Sequence, residues 1–504
     1  MKRNIIMTAL MVTAALTATA QKQAKLQFDK DNAQQRTLTM PDGQTVNYKA
    51  YEHLYYVTNV EDSAYQYMNV YVPEGANQKT PILLRTYVGG YMAAAAAQPQ
   101  ATDATGRALK EGFVVAIPGA RGRNSTVDRD GMTIYTGRAP RALLDLKAAV
   151  RYLRQFDKQM EGSADRIITD GTSAGGAMSA LLGATGNNPA YEPMLKAMGA
   201  ADTKDDVFAS VCFCPIIDLE HADMAYEWLY NCTNNRTRPL SSEQAVVSNE
   251  LAASYPAYLN SLKLKHPETG EAITADNMRG YIKQLLIRSA QIAKDAGADI
   301  PDTIGFTFSE TAQMGMPPLN GVTPQPNKLR AAAQLFNQAT PGRPFNLRKQ
   351  QGEYITNLDM ETYLNYVVTT QPLKTPPAFD AQGVAGAQAT GENEEFGDTL
   401  GTSVNFTDYA AMRNGTQVSD EVKELVRLMN PMNFIGARKT DVAKHWYIRH
   451  GSRDRDTAFP VPVAFATKLQ NEGKQVNFLL AWNRPHSGDY ALDELFEWMK
   501  NLPK

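Results

Sequence analysis

Apolar residues recur along the chain with two different periods. Segments of strand length that contain clustered apolar residues occur at residues 81–87, 112–117, 165–170, 446–450 and 476–480. Segments with the apolar period of a helix lie between or after them, at residues 141–156, 461–470 and 492–499. Strands that alternate with helices favour a mostly parallel sheet covered by helices on both faces. The pattern therefore predicts the α/β fold class.

Two further elements are predicted before residue 100. Residues 68–72 alternate between apolar and polar positions, which indicates a strand. Residues 93–97 are all alanine, a strong helix former, and predict a short helix after the strand at 81–87 and its loop.

The pattern changes between residues 220 and 430. Helical segments lie there among proline-rich loops, such as M-P-P at 316–318 and K-T-P-P at 374–377. We interpret residues 220–430 as one large lid domain inserted into the α/β fold. The insertion divides the core into a first part, residues 21–219, and a second part, residues 431–504.

Residues 1–20 have the features of an export signal. Lys2 and Arg3 precede an apolar stretch at 5–16, and A-T-A at 18–20 offers the small residues that signal peptidase requires. The apolar stretch is too short to span a membrane, and no other stretch has the necessary length. The sequence predicts a bacterial protein exported to the periplasm or the medium.

Composition excludes several classes of function. The 504 residues carry a formal net charge of −2, so the chain has no basic field with which to bind nucleic acid. The cysteines are Cys212, Cys214 and Cys232, too few for a disulfide framework. Cys212 and Cys214 alternate within an apolar run and are interpreted as small buried side chains. The histidines show no H-E-x-x-H spacing, and neither a metal nor a cofactor is expected.

The sequence G-T-S-A-G at residues 171–175 is the strongest chemical signal. It matches G-x-S-x-G, follows the predicted strand at 165–170 and precedes an apolar helical segment at 176–182. The glycines permit a tight strand-to-helix turn, which lifts the serine hydroxyl to the carboxyl edge of the sheet. This context is typical of the nucleophile in α/β-hydrolases, and it designates Ser173.

A serine nucleophile needs a base, which in this class is a histidine near the C-terminus. His486 lies in a loop after the apolar run at 478–482, with one helix to follow, and is the predicted base. His450 is the competitor, but it ends a strand and precedes the acid loop, so we interpret it as structural.

The acid is expected in the loop after the strand that ends at residue 450. Asp454 and Asp456 lie there, two residues apart, and we assign to Asp454 the role of orienting His486. Asp489 follows the histidine too closely for this role, and we expect it to cap the last helix.

The reaction also needs hydrogen-bond donors for the oxyanion. The backbone N–H of Ala174 is one predicted donor because it directly follows the nucleophile. The loop after the strand at 81–87 supplies the other, which we assign to Gly89 with Gly90 as the alternative.

Three blocks of sequence resemble bacterial tannases (tannin acyl hydrolases). They are G-T-S-A-G-G-A with its continuation to residue 187, C-P-I-I-D-L-E-H-A-D at 214–223 and K-T-P-P-A-F-D at 374–380. The resemblance implies an α/β-hydrolase with a large lid before the late strands. It also implies hydrolysis of gallate and protocatechuate esters through an acyl-enzyme.

The resemblance also assigns residues. It matches the triad to Ser173, Asp454 and His486, and it matches the groups that bind the galloyl hydroxyls to Lys374, Glu392 and Asp456. The stretch after Lys374 is longer than in the family, so Glu394 and Glu395 remain alternatives to Glu392. Carboxylates accept strongly from adjacent phenolic hydroxyls, and lysine can donate to the same oxygens.

Other functions remain open at this point. One is a carboxylesterase for feruloyl or other acyl groups, with the same triad. Another is a prolyl-type peptidase, whose N-terminal propeller repeats are missing from this sequence. The third is a non-enzymatic protein that binds sugars or polyphenols. The partner expected in the first case is a small ester or polyphenol, with no nucleic acid and no membrane span.

Overall fold

The computed structural model describes residues 25–233, 235–236, 238–309, 354–369 and 371–503. The predicted export signal, residues 1–20, and the proline-rich sequence at 316–318 lie outside these residues.

The strands, in chain order, are β1 (Gln34–Thr39), β2 (Thr45–Tyr55), β3 (Tyr67–Pro73), β4 (Pro81–Arg85), β5 (Val114–Pro118), β6 (Thr126–Arg129), β7 (Met132–Tyr135), β8 (Ser163–Thr172), β9 (Ala209–Phe213), β10 (Phe306–Ser309), β11 (Tyr354–Leu358), β12 (His445–Gly451) and β13 (Gln475–Ala481).

The α-helices are α1 (Ala104–Lys110), α2 (Arg141–Gln155), α3 (Ala174–Ala184), α4 (Glu192–Ala197), α5 (Leu219–Tyr230), α6 (Ser242–Ser261), α7 (Ala275–Asp295), α8 (Met360–Val367), α9 (Gly391–Glu395), α10 (Asp408–Arg413), α11 (Asp420–Leu428), α12 (Pro460–Asn471) and α13 (Leu492–Lys500).

Nine strands form one mixed sheet in the order β1-β2-β3-β5-β4-β8-β9-β12-β13. In this order, the last six strands, β5-β4-β8-β9-β12-β13, are parallel to one another. The strands β1, β2 and β3 pair antiparallel, and β3 is also antiparallel to β5. Two small antiparallel pairs, β6–β7 and β10–β11, lie outside this sheet. The predicted α/β class with a mostly parallel sheet is confirmed.

Most residues of the central strands are buried because helices cover both faces of the sheet. Ile82 and Leu84 of β4 belong to the hydrophobic cluster that includes α2, α3 and α12, while Leu83 between them belongs to the cluster with α1 and α13. Successive strand residues point to opposite faces, so one apolar run serves two cores.

The order of the strands determines where a site can form. In the parallel part of the sheet, β4 is the first strand in the chain. The next parallel strand, β5, lies on one side of β4, and the following one, β8, lies on its other side. At such a reversal the loops leaving the carboxyl ends of β4 and β8 diverge, and a crevice opens between them.

The prediction of a helix at residues 93–97 is wrong. Ala94 instead forms a β-bridge with Ala120, and the N–H of Ala93 donates to Asn124 Oδ1 at 2.8 Å. The helix begins later, at Ala104, where the Asp103 side chain accepts from Thr105 N at 2.8 Å and caps it. Tertiary pairing here outweighs the helix propensity of alanine.

Residues 220–430, which we interpreted as a lid, contain α6 to α11 among the described residues, and α5 begins just before them. Many of their buried side chains belong to the same hydrophobic cluster as α2 and α3, for example Tyr226, Leu286 and Tyr363. The stretch therefore packs against the core, and its role as a lid remains a prediction.

Within the described part of the chain, no helix combines the length and the apolar character that crossing a membrane requires.

The close packing of α3 on the sheet gives a test of the fold. A Cβ at Gly183 would lie 2.5 Å from Trp446 Cη2 and 2.9 Å from Ser210 Cβ. We expect Gly183→Ala to lower the free energy of unfolding by about 1–3 kcal/mol because the site is already filled. Urea denaturation measures this change.

Gly280 in α7 is the matched control, since a Cβ there would meet nothing within 4 Å. Gly280→Ala should raise the free energy of unfolding by about 0.5–1 kcal/mol through helix propensity. Equal effects of the two substitutions would contradict the packing described here.

Candidate active site

Ser173 occupies a strained turn between β8 and α3. Its φ is 63° and its ψ is −124°, and its N–H donates to Phe213 O at 2.9 Å. A positive φ is uncommon for a residue with a side chain, and such strain concentrates at functional sites. The turn places the serine at the carboxyl end of β8, as the sequence predicts.

The glycines around Ser173 are required by close backbone contacts. A Cβ at Gly171 would lie 2.2 Å from Gly175 O, and one at Gly176 would lie 2.5 Å from Phe213 O. A Cβ at Gly175 would lie 2.7 Å from Val88 O. The last contact brings the loop after β4 against the start of α3.

His486, which is partly buried, and Asp454, which is fully buried, form a hydrogen-bonded pair. His486 Nδ1 lies 2.7 Å from Asp454 Oδ2, and the N–H of Asp456 donates to Asp454 Oδ1 at 2.8 Å. Burial alone would raise the pKa of the Asp454 carboxyl, but His450, His486 and the N–H of Asp456 lower it to about 2. Asp454 is therefore ionised at neutral pH.

Burial alone would lower the pKa of His486, but the hydrogen bond to Asp454 and the charges of Asp454 and Asp456 raise it above its ordinary value. His450 lies behind the pair, with its Nδ1 3.6 Å from the same Asp454 Oδ2 and no exposed side-chain surface. Burial lowers the pKa of His450. Of the two histidines, His486 is the one whose side chain is partly exposed.

Close contacts hold the His486 loop against the loops after β8, β9 and β12. A Cβ at Gly488 would lie 1.9 Å from Thr172 Oγ1, and Cys214 Sγ donates to Ser487 O at 3.3 Å. A Cβ at Gly451 would lie 2.2 Å from Arg484 O. The loop carrying His486 is thus packed against Thr172, the residue that precedes Ser173.

Ser173 Oγ forms no hydrogen bond with His486 among the described residues. Hydrogen bonds of this kind are often long in free enzymes and shorten when substrate binds.

Lys374 reaches this group from the segment after α8. Its Nζ donates to the backbone oxygen of Asp456 at 3.0 Å and lies 4.0 Å from the centre of the Phe379 ring. Burial lowers the pKa of Lys374, although the negative charges of Glu392 and Asp456 oppose that shift. Lys374 and Asp456 therefore meet beside His486, since Asp456 Oδ2 is 3.7 Å from His486 Nδ1.

The three candidate glutamates of α9 have different surroundings. Glu394 forms an ion pair with Arg123. Glu395 is fully buried, and neither of its carboxylate oxygens has a hydrogen-bond partner among the described residues. Glu392 is the one of the three whose charge acts on Lys374. This electrostatic interaction with Lys374 favours Glu392 over the other two as the third polar group.

The predicted oxyanion donors lie where the loop after β4 meets α3. Ala174 is the first residue of α3, so its N–H has no acceptor within the helix. Gly89 accepts from Met92 N at 3.0 Å in a tight turn, and Gly90 O accepts from Arg123 Nε at 2.8 Å.

Metal-ligating atoms are grouped in two places around Asp454. Within each group these atoms lie within 4.8 Å of one another, and across the described ranges no other such group occurs. The two groups are Cys214 with His450 and Asp454, and Asp454 with Asp456 and His486.

Comparison with known proteins places this geometry in a family. Residues 68–258 match the family model described as BD-FAE. The comparison with curated proteins gives no match. Among solved structures, the tannin acyl hydrolase from Lactobacillus plantarum is 35% identical with a TM-score of 0.79, over 95% of this chain and 98% of that one. The tannase of Fusobacterium nucleatum is 34% identical with a TM-score of 0.77, over 95% and 99%.

The chain belongs to the tannase family. Its sheet and helices have the hydrolase fold of these enzymes, so the fold predicted from the nucleophile motif is confirmed. Both comparisons identify the chain as an ester hydrolase.

Asp489 has a different role in this tannase-family chain from the one we expected. The residue that precedes α13 as its cap is Ala491, so the predicted capping by Asp489 is wrong. Asp489 Oδ2 instead lies 2.7 Å from Arg85 Nη2, and Arg85 Nη1 is 2.6 Å from Asp170 Oδ2. Arg85 is almost fully buried, so its charge needs carboxylate partners. Asp489 is the second such partner beside Asp170, and this ion pair places its side chain away from the end of α13. The pairing ties the His486 loop to β4 and β8.

Asp223 and Asp380 organise the part of the site that contains Lys374 and α9, and the sequence did not reveal them. Asp223 accepts from the N–H groups of Phe379 and Asp380 at 2.8 and 2.9 Å. Asp380 in turn accepts from Asn393 Nδ2 at 2.7 Å and from Thr407 N at 2.7 Å. These bonds fix the segment of Lys374 relative to α9. Each aspartate ends one of the blocks that resemble tannases, which was the available signal.

The Arg85–Asp489 pair gives a prediction about the position of the base. Asp489→Asn should lower the free energy of unfolding by about 2 kcal/mol, the worth of a hydrogen bond to a charged partner, and should also lower kcat. Thermal or urea unfolding and steady-state ester hydrolysis measure the two effects.

Asp493→Asn is the control, because its ion pair with Arg107 is exposed at the surface. It should change stability by less than about 0.5 kcal/mol and leave kcat unchanged. A kcat in Asp489→Asn equal to that of the wild type would contradict a positioning role.

Proposed function

We propose that Ser173, His486 and Asp454 form a catalytic triad that hydrolyses galloyl esters through an acyl-enzyme. The observation that carries the proposal is the hydrogen-bonded His486–Asp454 pair, packed beside the strained turn of Ser173. Relatives of similar identity support the substrate class, because one is a tannin acyl hydrolase in complex with ethyl gallate and another is in complex with 3,4-dihydroxybenzoate. We extend the proposal to protocatechuoyl esters on the second of these.

The first half of the reaction acylates the enzyme. His486 Nε2 takes the proton of the Ser173 hydroxyl as the oxygen attacks the ester carbonyl. The N–H groups of Ala174 and Gly89 donate to the oxyanion of the tetrahedral intermediate. His486 then protonates the departing alcohol, and water repeats the sequence to release the acid.

Asp454 makes His486 an effective base. Because its carboxylate is ionised and accepts from Nδ1, it holds the tautomer in which Nε2 is free to accept a proton. Its charge also stabilises the imidazolium that forms in both transition states.

Lys374, Asp456 and Glu392 are proposed to read the ring hydroxyls of the acyl group. The carboxylates accept from adjacent hydroxyls, and Lys374 donates to the same oxygens. An acyl group without those hydroxyls leaves the buried charges unpaired, which costs transition-state binding. Two of these groups come from residues 220–430, so we propose that this segment acts as a lid over the acyl pocket.

Replacing the nucleophile tests the proposal most simply. Ser173→Ala should lower kcat for methyl gallate on the order of 10⁶-fold, because it removes the hydroxyl that attacks the ester. Ser487→Ala is the control, since its hydroxyl bonds within its own loop. Hydrolysis by Ser173→Ala at the wild-type rate would leave only a binding function.

Neighbouring glutamates of α9 test the reading of the ring hydroxyls. Glu392→Gln should lower kcat/KM for methyl gallate about 10–100-fold, the loss of one charged hydrogen bond, and should spare methyl benzoate. Glu394 pairs with Arg123, so Glu394→Gln should leave kcat/KM unchanged for both methyl gallate and methyl benzoate. Equal losses on both esters in Glu392→Gln would contradict a role in reading the hydroxyls.

The raised pKa of His486 predicts the pH dependence of hydrolysis. The base must be neutral, so kcat/KM falls as the pH drops through that pKa, with a midpoint above about 6.5. Asp456→Asn removes a negative charge near Nδ1, which lowers the pKa and moves the acid limb to lower pH. A pH profile of methyl benzoate hydrolysis measures the shift, and an upward movement would contradict the assignment.

A further inference from the structure

Behind the triad acid lies a group of three buried side chains, Cys214, His450 and Asp454, which we call the inner cluster. Cys214 follows β9, while His450 and Asp454 lie at the end of β12 and in the loop after it. Their sulfur, nitrogen and oxygen ligand atoms lie within 4.8 Å of one another. All three residues have no exposed surface.

His450 meets Asp454 only through a long electrostatic contact. Neither of its ring nitrogens forms a hydrogen bond with the described residues, and its Nδ1 stands 3.6 Å from Asp454 Oδ2, beyond hydrogen-bond range. Its remaining ring contact is apolar, with Phe459 edge-on at 5.8 Å. Buried polar atoms are almost always paired, so an unpaired imidazole facing a thiol and a carboxylate indicates a place for a ligand.

The chemistry of the inner cluster suits one class of ligand. A thiol, an imidazole and a carboxylate are the ligands that Zn²⁺ and similar soft divalent cations prefer. Tetrahedral coordination at the usual bond lengths places ligand atoms about 3.3–3.6 Å apart, which these side chains can reach with small movements. A thiolate and a carboxylate would together neutralise the cation, and the thiol proton would be released on binding.

The second group around Asp454 offers a route from solvent. Asp456 and His486 share Asp454 with the inner cluster, and their side chains are 23% and 20% exposed. A cation can therefore meet Asp456 and His486 first and then pass to the thiol behind Asp454.

We propose that the inner cluster is an inhibitory binding site for a thiophilic divalent cation such as Zn²⁺ or Cd²⁺. The bound cation takes the Asp454 carboxylate away from His486, which loses its orientation and its charge stabilisation. The inhibition rests on the proposed triad, whereas the binding itself does not.

Binding is tested with Cd²⁺ and Co²⁺ as probes on the whole mature protein. A thiolate–metal charge-transfer band in the ultraviolet should appear at a stoichiometry of one and disappear in Cys214→Ser. Cys232→Ser is the control, since Cys232 is the exposed cysteine and lies outside the cluster. A band that survives in Cys214→Ser, or one that is lost in Cys232→Ser, overturns the assignment.

Inhibition is tested by methyl gallate hydrolysis in the presence of Cd²⁺. Wild type and Cys232→Ser should be inhibited and then recover with EDTA, while Cys214→Ser should need at least about tenfold more Cd²⁺. Cys232→Ser should hydrolyse methyl gallate normally without the cation, and the inhibition of each variant is measured against its own rate without Cd²⁺. If Asp456→Asn weakens the inhibition and Cys214→Ser does not, the cation binds to Asp454, Asp456 and His486 instead of the inner cluster, which would overturn the proposal. A failure of the triad itself shows in Ser173→Ala and leaves the spectroscopic result intact.

Discussion

The hydrogen bond between Asp454 and His486 is the interaction on which the architecture of the site depends. A fully buried carboxylate is costly unless it is paired and hydrogen-bonded. Here two imidazoles and one backbone N–H surround Asp454, and they hold its pKa at about 2. Because the carboxylate stays charged, the imidazole in front of it has one orientation and a raised affinity for a proton.

The positions of His486 and Asp454 depend on the loops after β8, β9, β12 and β13, which contact one another. Several surrounding side chains hold these loops in place. Arg85 joins β4, β8 and the loop of the base through its two carboxylate partners. Tyr363 and Tyr230, from the segment between β9 and β12, donate to the backbone oxygens of Ser452 and Asp454 at 2.9 and 3.4 Å. The segment that carries Lys374 and Glu392 therefore also supports the acid loop. The groups proposed to recognise the substrate and those that orient His486 thus belong to one packed unit.

The sequence predicted the fold class and the order of the core elements because clustered apolar residues and helical periods are local signals. The strand-to-helix turn at Ser173 could be predicted for the same reason, since its glycines are adjacent in the chain. Pairing between distant residues has no such signal. Residues 93–97 are drawn into a β-bridge despite their helix propensity, and Asp489 bonds to Arg85, 404 residues earlier.

The three glutamates of α9 show the same limit within the site. They are consecutive or nearly so, and only the position of Arg123 and Lys374 in space distinguishes them. Asp223 and Asp380 were overlooked because each was visible as part of a block of sequence and not as a hydrogen-bond acceptor for distant N–H groups.

The central claim is that the hydrogen-bonded Asp454–His486 pair activates Ser173. The most direct measurement is mass spectrometry of the protein after reaction with a phosphonate analogue of a galloyl ester. The account predicts one phosphonyl group per molecule, on the peptide that contains Ser173, and almost none in a His486→Ala variant. A modified residue elsewhere, or equal labelling of Ser173 without the histidine, would contradict it.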